Sequence, residues 1–532
     1  GGLAARARMG ARGGTRCLFV AAAWLQRWAA LGQVIKFENY PAPPPGSLST
    51  AYVFFVYEFD EAPDQSEGAP YLSLDGLSAH APTDAEPSGY GGVQITVMRH
   101  MDVSKILDLR TGRVCSEQED VDARRSNVTD MLILERSGLL DNSTGQVFQQ
   151  SVPFGGTKAP SQRWAIERTG IYMLLISNCG SITSATMNGT VTVKHAYGYL
   201  PGNEYPKMPF FGWLILAYAL LAIIWIVLSV RWWDQLFRIQ SCILVVLLLG
   251  CAESLLWSVF LHKWNIEGRP TTNSTVIFVA ALLLTVLKST FSYMLVLVAC
   301  LGWGVTKPSL GGRTLCKVGT LCFLQVGFAF AREVVLSFRH SYSIPPELVL
   351  TVFAPVTLLN TIIFCWIFCA ISRLMEKLKE QRQTEKFQLF LMLLAVLIAA
   401  IGVATLALLV EVYNLSKPPQ AVWKHQWILT DAVSHLLFLL VLAAMMYLWR
   451  PHSESQRYAF SEQLSNVDMD GDARATSVAN GDLRKLGGAE VIGQAYMDQD
   501  MGAGPDAFTI EDEEKSPEGH PDDQDRVQRD EV

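Results

Sequence analysis

The chain is short of charge. Asp, Glu, Lys and Arg make up 17% of its 532 residues, while 50% are hydrophobic and the mean hydropathy is +0.23. A soluble domain usually carries about 25% charge, so this balance argues against an ordinary soluble protein. The short motifs of common enzymes are also missing. No CxxC or Cys/His zinc spacing, HxxxH or HExxH pair, Walker phosphate loop or GxSxG serine occurs. Zinc, nucleotide and acyl-serine chemistry therefore lack a recognisable centre. The third long apolar run ends without a D-R-Y-like triplet and the last lacks N-P-x-x-Y. A rhodopsin-like receptor is thus without its signatures, although helix count alone permits an orphan seven-transmembrane receptor.

Cysteine is scarce wherever it could cross-link. Cys242, Cys251, Cys300, Cys316, Cys322, Cys365 and Cys369 lie in or beside apolar segments, as small buried hydrophobes do. Cys17 falls in an N-terminal apolar run. Cys115 and Cys179 remain, and in an oxidising lumen they are expected to form one disulfide.

The first 32 residues read as a signal peptide. Met9 offers a start, Arg12 and Arg16 follow, and the run Cys17–Leu25 leads to the small residues Ala29, Ala30 and Gly32. That run is shorter than the roughly 20 residues a span requires. Residues 33–206 then alternate strand-like runs with turns. The runs are Ala51–Phe59, Val93–Arg99, Met131–Glu135, Gln146–Val152, Arg163–Glu167, Ile171–Ser177 and Gly189–His195. Period-2 alternation in short strands predicts an all-β sandwich.

From Met208 the character changes. Apolar spans near 209–230, 239–262, 275–303, 316–337, 348–372, 387–412 and 427–449 predict a seven-transmembrane α-helical bundle over 207–450. With the β domain outside, twelve Lys and Arg fall in inner loops and the first tail residues, against six in the outer junction and loops. N-glycosylation sequons at Asn127, Asn142, Asn188, Asn273 and Asn414 all fall on the outer side of that topology. Residues 451–532 hold 20 Asp and Glu against 7 Lys and Arg, a net −13, which leaves +6 on the rest of a chain totalling −7. This tail lacks apolar periodicity and reads as disordered and cytosolic, with the acidic cluster Glu511–Glu514 beside Ser516 as a sorting or phosphorylation site. The charge distribution argues against nucleic acid.

Ionisable residues inside spans are expensive and mark cavities or partners. Here they are Glu253, Lys288, Arg332, Glu333, Asp431 and His435. Counting helical rise puts Glu253 and His435 roughly 12–14 Å below the outer surface and Lys288 near 20 Å. Asp431 and His435, four apart, are expected on one helix face. The simplest account is a polar cavity open to the lumen, with Glu253 and Lys288 pairing across it and Asp431 and His435 titrating with lumenal pH. Buried ion pairs that fix helix register, a ligand or lipid cavity, and an ion path all fit the same charges. His262, His340, His425 and His435 lie near the outer surface, where three His and an Asp could hold zinc in a seven-helix hydrolase. Their spacing does not carry that reading, and no metal site is expected.

Four stretches resemble the Golgi-dynamics-domain seven-transmembrane family, also called the lung seven-transmembrane receptor family. They are Tyr197–Pro201 (YGYLP), Trp233–Gln240 (WDQLFRIQ), Leu301–Gly311 (LGWGVTKPSLG) and Leu448–Ser461 (LWRPHSESQRYAFS). Glu253, Lys288 and Asp431 match charged positions of its transmembrane protein 87 branch. The resemblance covers roughly residues 160–461. It implies a GOLD-type sandwich on a bundle similar to opsins and Wntless, in the Golgi membrane, with a funnel that can hold a phospholipid and no other cofactor. It also implies work in traffic such as endosome-to-Golgi retrieval. The lumenal β domain would take protein cargo and the tail cytosolic sorting factors. A pH- or voltage-modulated or mechanosensitive cation channel is the alternative, since branch members have been proposed as channels. One departure stands out: the branch leads one to expect more than one lumenal disulfide, yet the outer loops carry no cysteine. The usual coupling of ectodomain to bundle is therefore in question.

Overall fold

The computed structural model describes residues 33–56, 70–80, 92–106, 115–117, 122, 147–166, 168–180, 182–236, 238–269, 271–303, 311–339 and 346–451. The expected signal peptide, the run Met131–Glu135, Asn127, Asn142, His340 and the tail from residue 452 lie outside these residues.

Among the described residues, eight strands build the N-terminal domain: β1 (Val34–Pro41), β2 (Ser47–Val56), β3 (Tyr71–His80), β4 (Gly92–Arg99), β5 (Val147–Pro153), β6 (Gln162–Ala165), β7 (Gly170–Asn178) and β8 (Thr186–Lys194). They form two antiparallel sheets, ordered β1-β8-β3-β6 and β2-β7-β4-β5. Alternate residues point inward. Ile35, Leu72 and Val191 from one sheet and Val56, Ile95 and Leu174 from the other are buried in the common core. A short helix, α1 (His100–Ile106), follows β4. The Cys115–Cys179 disulfide closes with a Cα–Cα distance of 5.4 Å, within the range such a bond requires.

Strands β1 and β3 are absent from the runs read in the sequence. In β3 the buried set is Leu72 and Leu74, then Leu77 and Ala79. The phase slips by one because the ladder to β8 shifts between Asp75 and Ser78, where Gly76 has φ +63°. A bulge breaks the alternation that the eye follows.

Seven spans follow among the described residues: α2 (Lys207–Arg231), α3 (Arg238–Glu267), α4 (Thr272–Cys300), α5 (Gly312–Arg339), α6 (Pro346–Glu380), α7 (Thr384–Leu415), and a composite seventh. The seventh runs α8 (Pro419–Trp427), a π-helical turn (Ile428–Ala432) and α9 (Val433–Leu448). The Val433 N–H donates to Ile428 O, the i→i+5 bond that defines the turn. The helices outrun the apolar spans read from sequence at most ends, because α-helix continues past the last apolar residue.

Hydrogen bonds fasten the sandwich to the bundle. Asn265, near the end of α3, donates from Nδ2 to Tyr197 O (2.6 Å) and accepts at Oδ1 from the Leu200 N–H (3.1 Å); its own carbonyl accepts from Tyr199 N–H (2.9 Å). Gly198 has φ +134°, and a Cβ there would lie 2.4 Å from Asn265 Oδ1. The YGYLP motif is thus a latch whose glycine is required by close approach. Val34 N–H donates to Gly268 O (3.1 Å) and Gly202 N–H to Phe55 O (2.7 Å). At the opposite end of the bundle two other motifs meet. Gln240 donates from Nε2 to Trp449 O (2.9 Å), and Trp225 Nε1–H donates to Gln240 O (3.3 Å).

Candidate functional site

Chain direction alternates from span to span, so α3, α4 and the seventh span present their sandwich-side ends at Glu267, Thr272 and Pro419. Glu253, Lys288 and His435 lie 14, 16 and 16 residues in from those ends and meet at one level. Lys288 Nζ is 2.5 Å from Glu253 Oε2 and 3.2 Å from His435 Nδ1. The Glu253 and Lys288 side chains are 0% and 4% exposed. This level replaces the staggered depths expected from sequence, which placed Lys288 deeper. Helix α3 runs five residues past its apolar run on this side and α8 starts eight residues before its own, against three for α4, so Glu253 and His435 gain more depth than Lys288 does.

The triad is one carboxylate, one ammonium and one imidazole. A charged Lys288 donates to His435 Nδ1, which puts the neutral ring's proton on Nε2. The Lys288–Glu253 contact is set by charge and distance; Glu253 Oε1 and Tyr218 Oη are buried with no hydrogen-bond partner among the described residues. Aromatic rings close the surroundings. Lys288 Nζ lies 4.6 Å from the Phe438 ring centroid, and the Phe211 ring meets His435 edge-on at 5.2 Å. Phe211 in turn stacks on Trp257, whose Nε1–H donates to Thr285 Oγ1 (3.1 Å). In such a setting a cation–π contact and an ion pair act together without competing water.

A second charge layer lies one helical turn nearer the sandwich. Lys207 Nζ is 3.0 Å from Asp431 Oδ2 and 3.0 Å from Glu204 Oε2. Asp431 also accepts from Thr430 Oγ1 (2.7 Å). One cation bridges two carboxylates here, and Asp431 stands within the π turn. Asp431 and His435 keep the expected common face: both turn toward α2, Asp431 onto Lys207 and His435 onto Phe211, while His435 also reaches Lys288. Lys207 and Glu204 had no site role in the sequence reading; they stand three apart at the junction, and the contact with Asp431 is what the fold adds. Arg332 and Glu333 bond to each other on α5, with Arg332 Nη2 2.5 Å from Glu333 Oε1. Among the described residues no group of three or more His, Cys, Asp or Glu is gathered as a metal site.

Helix α7 supplies a further feature. Phe390 and Leu393, near the end remote from the sandwich, are fully buried. Toward the sandwich, Ile401, Val403, Ala404, Leu406, Leu408 and Leu409 are all exposed, although they point to every side of the helix. These side chains give the sandwich-side half of α7 an apolar outer surface of the kind that lipid covers.

Residues 206–456 match the family model described as "GOST, seven transmembrane domain", which takes in all seven spans and leaves the sandwich outside. Transmembrane protein 87A of Xenopus tropicalis is 28% identical over 282 residues, covering 52% of this chain and 50% of that protein. The Mus musculus protein of that name is 30% identical over 360 residues, covering 65% and 62%. The Homo sapiens one is 31% identical over 273 residues, covering 51% and 48%. The chain spans about half to three fifths of the length of these curated relatives.

Proposed function

Because the chain carries a GOST seven-transmembrane domain, we propose that it is a non-enzymatic, Golgi-resident protein of membrane traffic, with its sandwich in the lumen and its tail in the cytosol. The sandwich takes a lumenal protein partner, the bundle holds a phospholipid, and the acidic tail meets cytosolic sorting factors. The observation that carries this reading is the exposed, apolar half of α7, which packs beside the π turn that holds Asp431. A headgroup can approach Lys207 and Asp431 while acyl chains lie along α7. Native mass spectrometry of the full chain, released from mild detergent, tests the lipid. A retained phospholipid that is lost in Leu406→Arg is expected; a bare chain in both overturns it. For traffic, deletion of 33–206 is expected to abolish partner pull-down and slow retrieval to the Golgi, and no change in either would sink the adaptor.

A cation channel is the second reading. It is favoured by the buried Glu253 Oε1 and Tyr218 Oη, which lack hydrogen-bond partners among the described residues and would suit a passing water or cation.

A further inference from the structure

We propose that the seventh span is a coupling rod that joins the sandwich to the Glu253–Lys288–His435 triad, with the π turn at Ile428–Ala432 as its adjustable joint. The first observation is height. Asp431 meets Lys207, the first residue of α2, yet lies 12 residues after Pro419. Helix α8 therefore stands roughly 18 Å proud of that level along its own axis. The second is contact. At that raised end the Trp423 ring packs on Phe55 of β2 (centroids 5.6 Å), and Gln420 Nε2 bonds His100 Nδ1 at the start of α1. Trp423 is 4% exposed. The third is continuity. From Pro419 to Leu448 the backbone is helical without a break, and Trp427 packs on Phe210 (5.7 Å) just before the π turn.

A helix transmits rotation and translation along its axis, and a π turn is the place where one can be absorbed. It holds one extra residue, and passing that residue to α geometry turns one segment against the other by about 100°. Asp431 lies in this turn and His435 follows three residues after it. A change of phase would therefore move both away from Lys207 and Lys288 together. The sandwich contacts and the charge contacts thus bias one two-state element, the physical requirement for coupling between distant sites. The coupling would operate equally in a traffic protein and in a channel, and its test reads structure rather than activity.

Hydrogen–deuterium exchange on the full chain in lipid nanodiscs is the test. In Phe55→Ala, amides of 428–436 are expected to exchange about threefold to tenfold faster than in the wild type, the effect of one lost aromatic contact. Exchange in α2 over 214–225 should stay unchanged. Gln420→Ala removes the bond to His100 and leaves the Trp423–Phe55 contact, and should shift 428–436 in the same direction by less. By reciprocity, the charge-neutral pair of changes Glu253→Gln with Lys288→Met should quicken exchange at 419–427. Protection across β7 reports that the sandwich is folded. If it is lost in Phe55→Ala, the Gln420→Ala comparison decides. Unchanged exchange at 428–436 in a variant with β7 protected would overturn the coupling.

Discussion

Gly198 and Asn265 show how a single residue can fasten two domains. The backbone at Gly198 lies in the left-handed region and against the Asn265 amide. In Gly198→Ala the methyl group meets both constraints, and a loss of roughly 1–3 kcal/mol is expected. Thermal melting in detergent should show a lower midpoint, and an unchanged one would remove the latch. His195, three residues earlier, gives a pH signature. It is fully buried and its ring stacks on Tyr197 (5.0 Å), and both ring nitrogens lack hydrogen-bond partners among the described residues. Burial pulls its pKa down from the usual 6.5 to about 4. The unfolded chain therefore takes up a proton near 6.5 and the folded one only near 4. Stability is undiminished above pH 6.5, falls as pH drops below it, and the loss of about 3 kcal/mol is complete near pH 4. His195→Phe keeps the stack and should flatten that slope, measured by denaturation at pH 7.5, 5.5 and 4. An equal slope in the variant would assign the acid sensitivity elsewhere.

At the scale of elements, the triad ties α3 and α4 to the seventh span. Lys288→Met alone leaves Glu253 buried without its cation, and a cost of about 3–5 kcal/mol is expected. Adding Glu253→Gln should restore much of it. A double-mutant cycle on melting in nanodiscs measures the coupling, and simple additivity would mean that the two groups do not pair. Elements also show what the sequence could and could not reveal. The spans were legible because each is a long apolar run, β7 because it is a short one, and β8 because Val191 and Val193 alternate with polar residues. β3 was hidden by its bulge at Gly76, and β1 by the proline-rich stretch beside it. The pairing of Glu253 with Lys288 was open to a guess from opposite charge at intramembrane positions. Lys207 as the partner of Asp431 was not, since only the fold brings the start of α2 against the seventh span. The motif residues Gln240 and Trp449 lie 209 positions apart, and only the fold explains their bond.

For the whole molecule, hydrogen bonds and a ring contact fasten the sandwich to the bundle. If the sandwich is lumenal, Asn188 is open to glycosylation. Its Oδ1 accepts from Asn39 N–H (2.6 Å), which leaves Nδ2 as the attachment atom. Glycosidase treatment of the cellular protein should therefore give a mobility shift that Asn188→Gln reduces by one sugar chain; an unchanged pattern would count against a lumenal sandwich.

The triad carries one positive and one negative charge with an imidazole between aromatic walls, and that closed, neutral set is the reason to favour a holding role over conduction. Cation flux into sealed liposomes bearing the purified full chain tests this most directly. At pH 7.5 and 5.5 the flux should match protein-free liposomes, and Glu253→Gln should leave it there. A flux well above that background, abolished by Glu253→Gln, would contradict the account and make the triad part of an ion path.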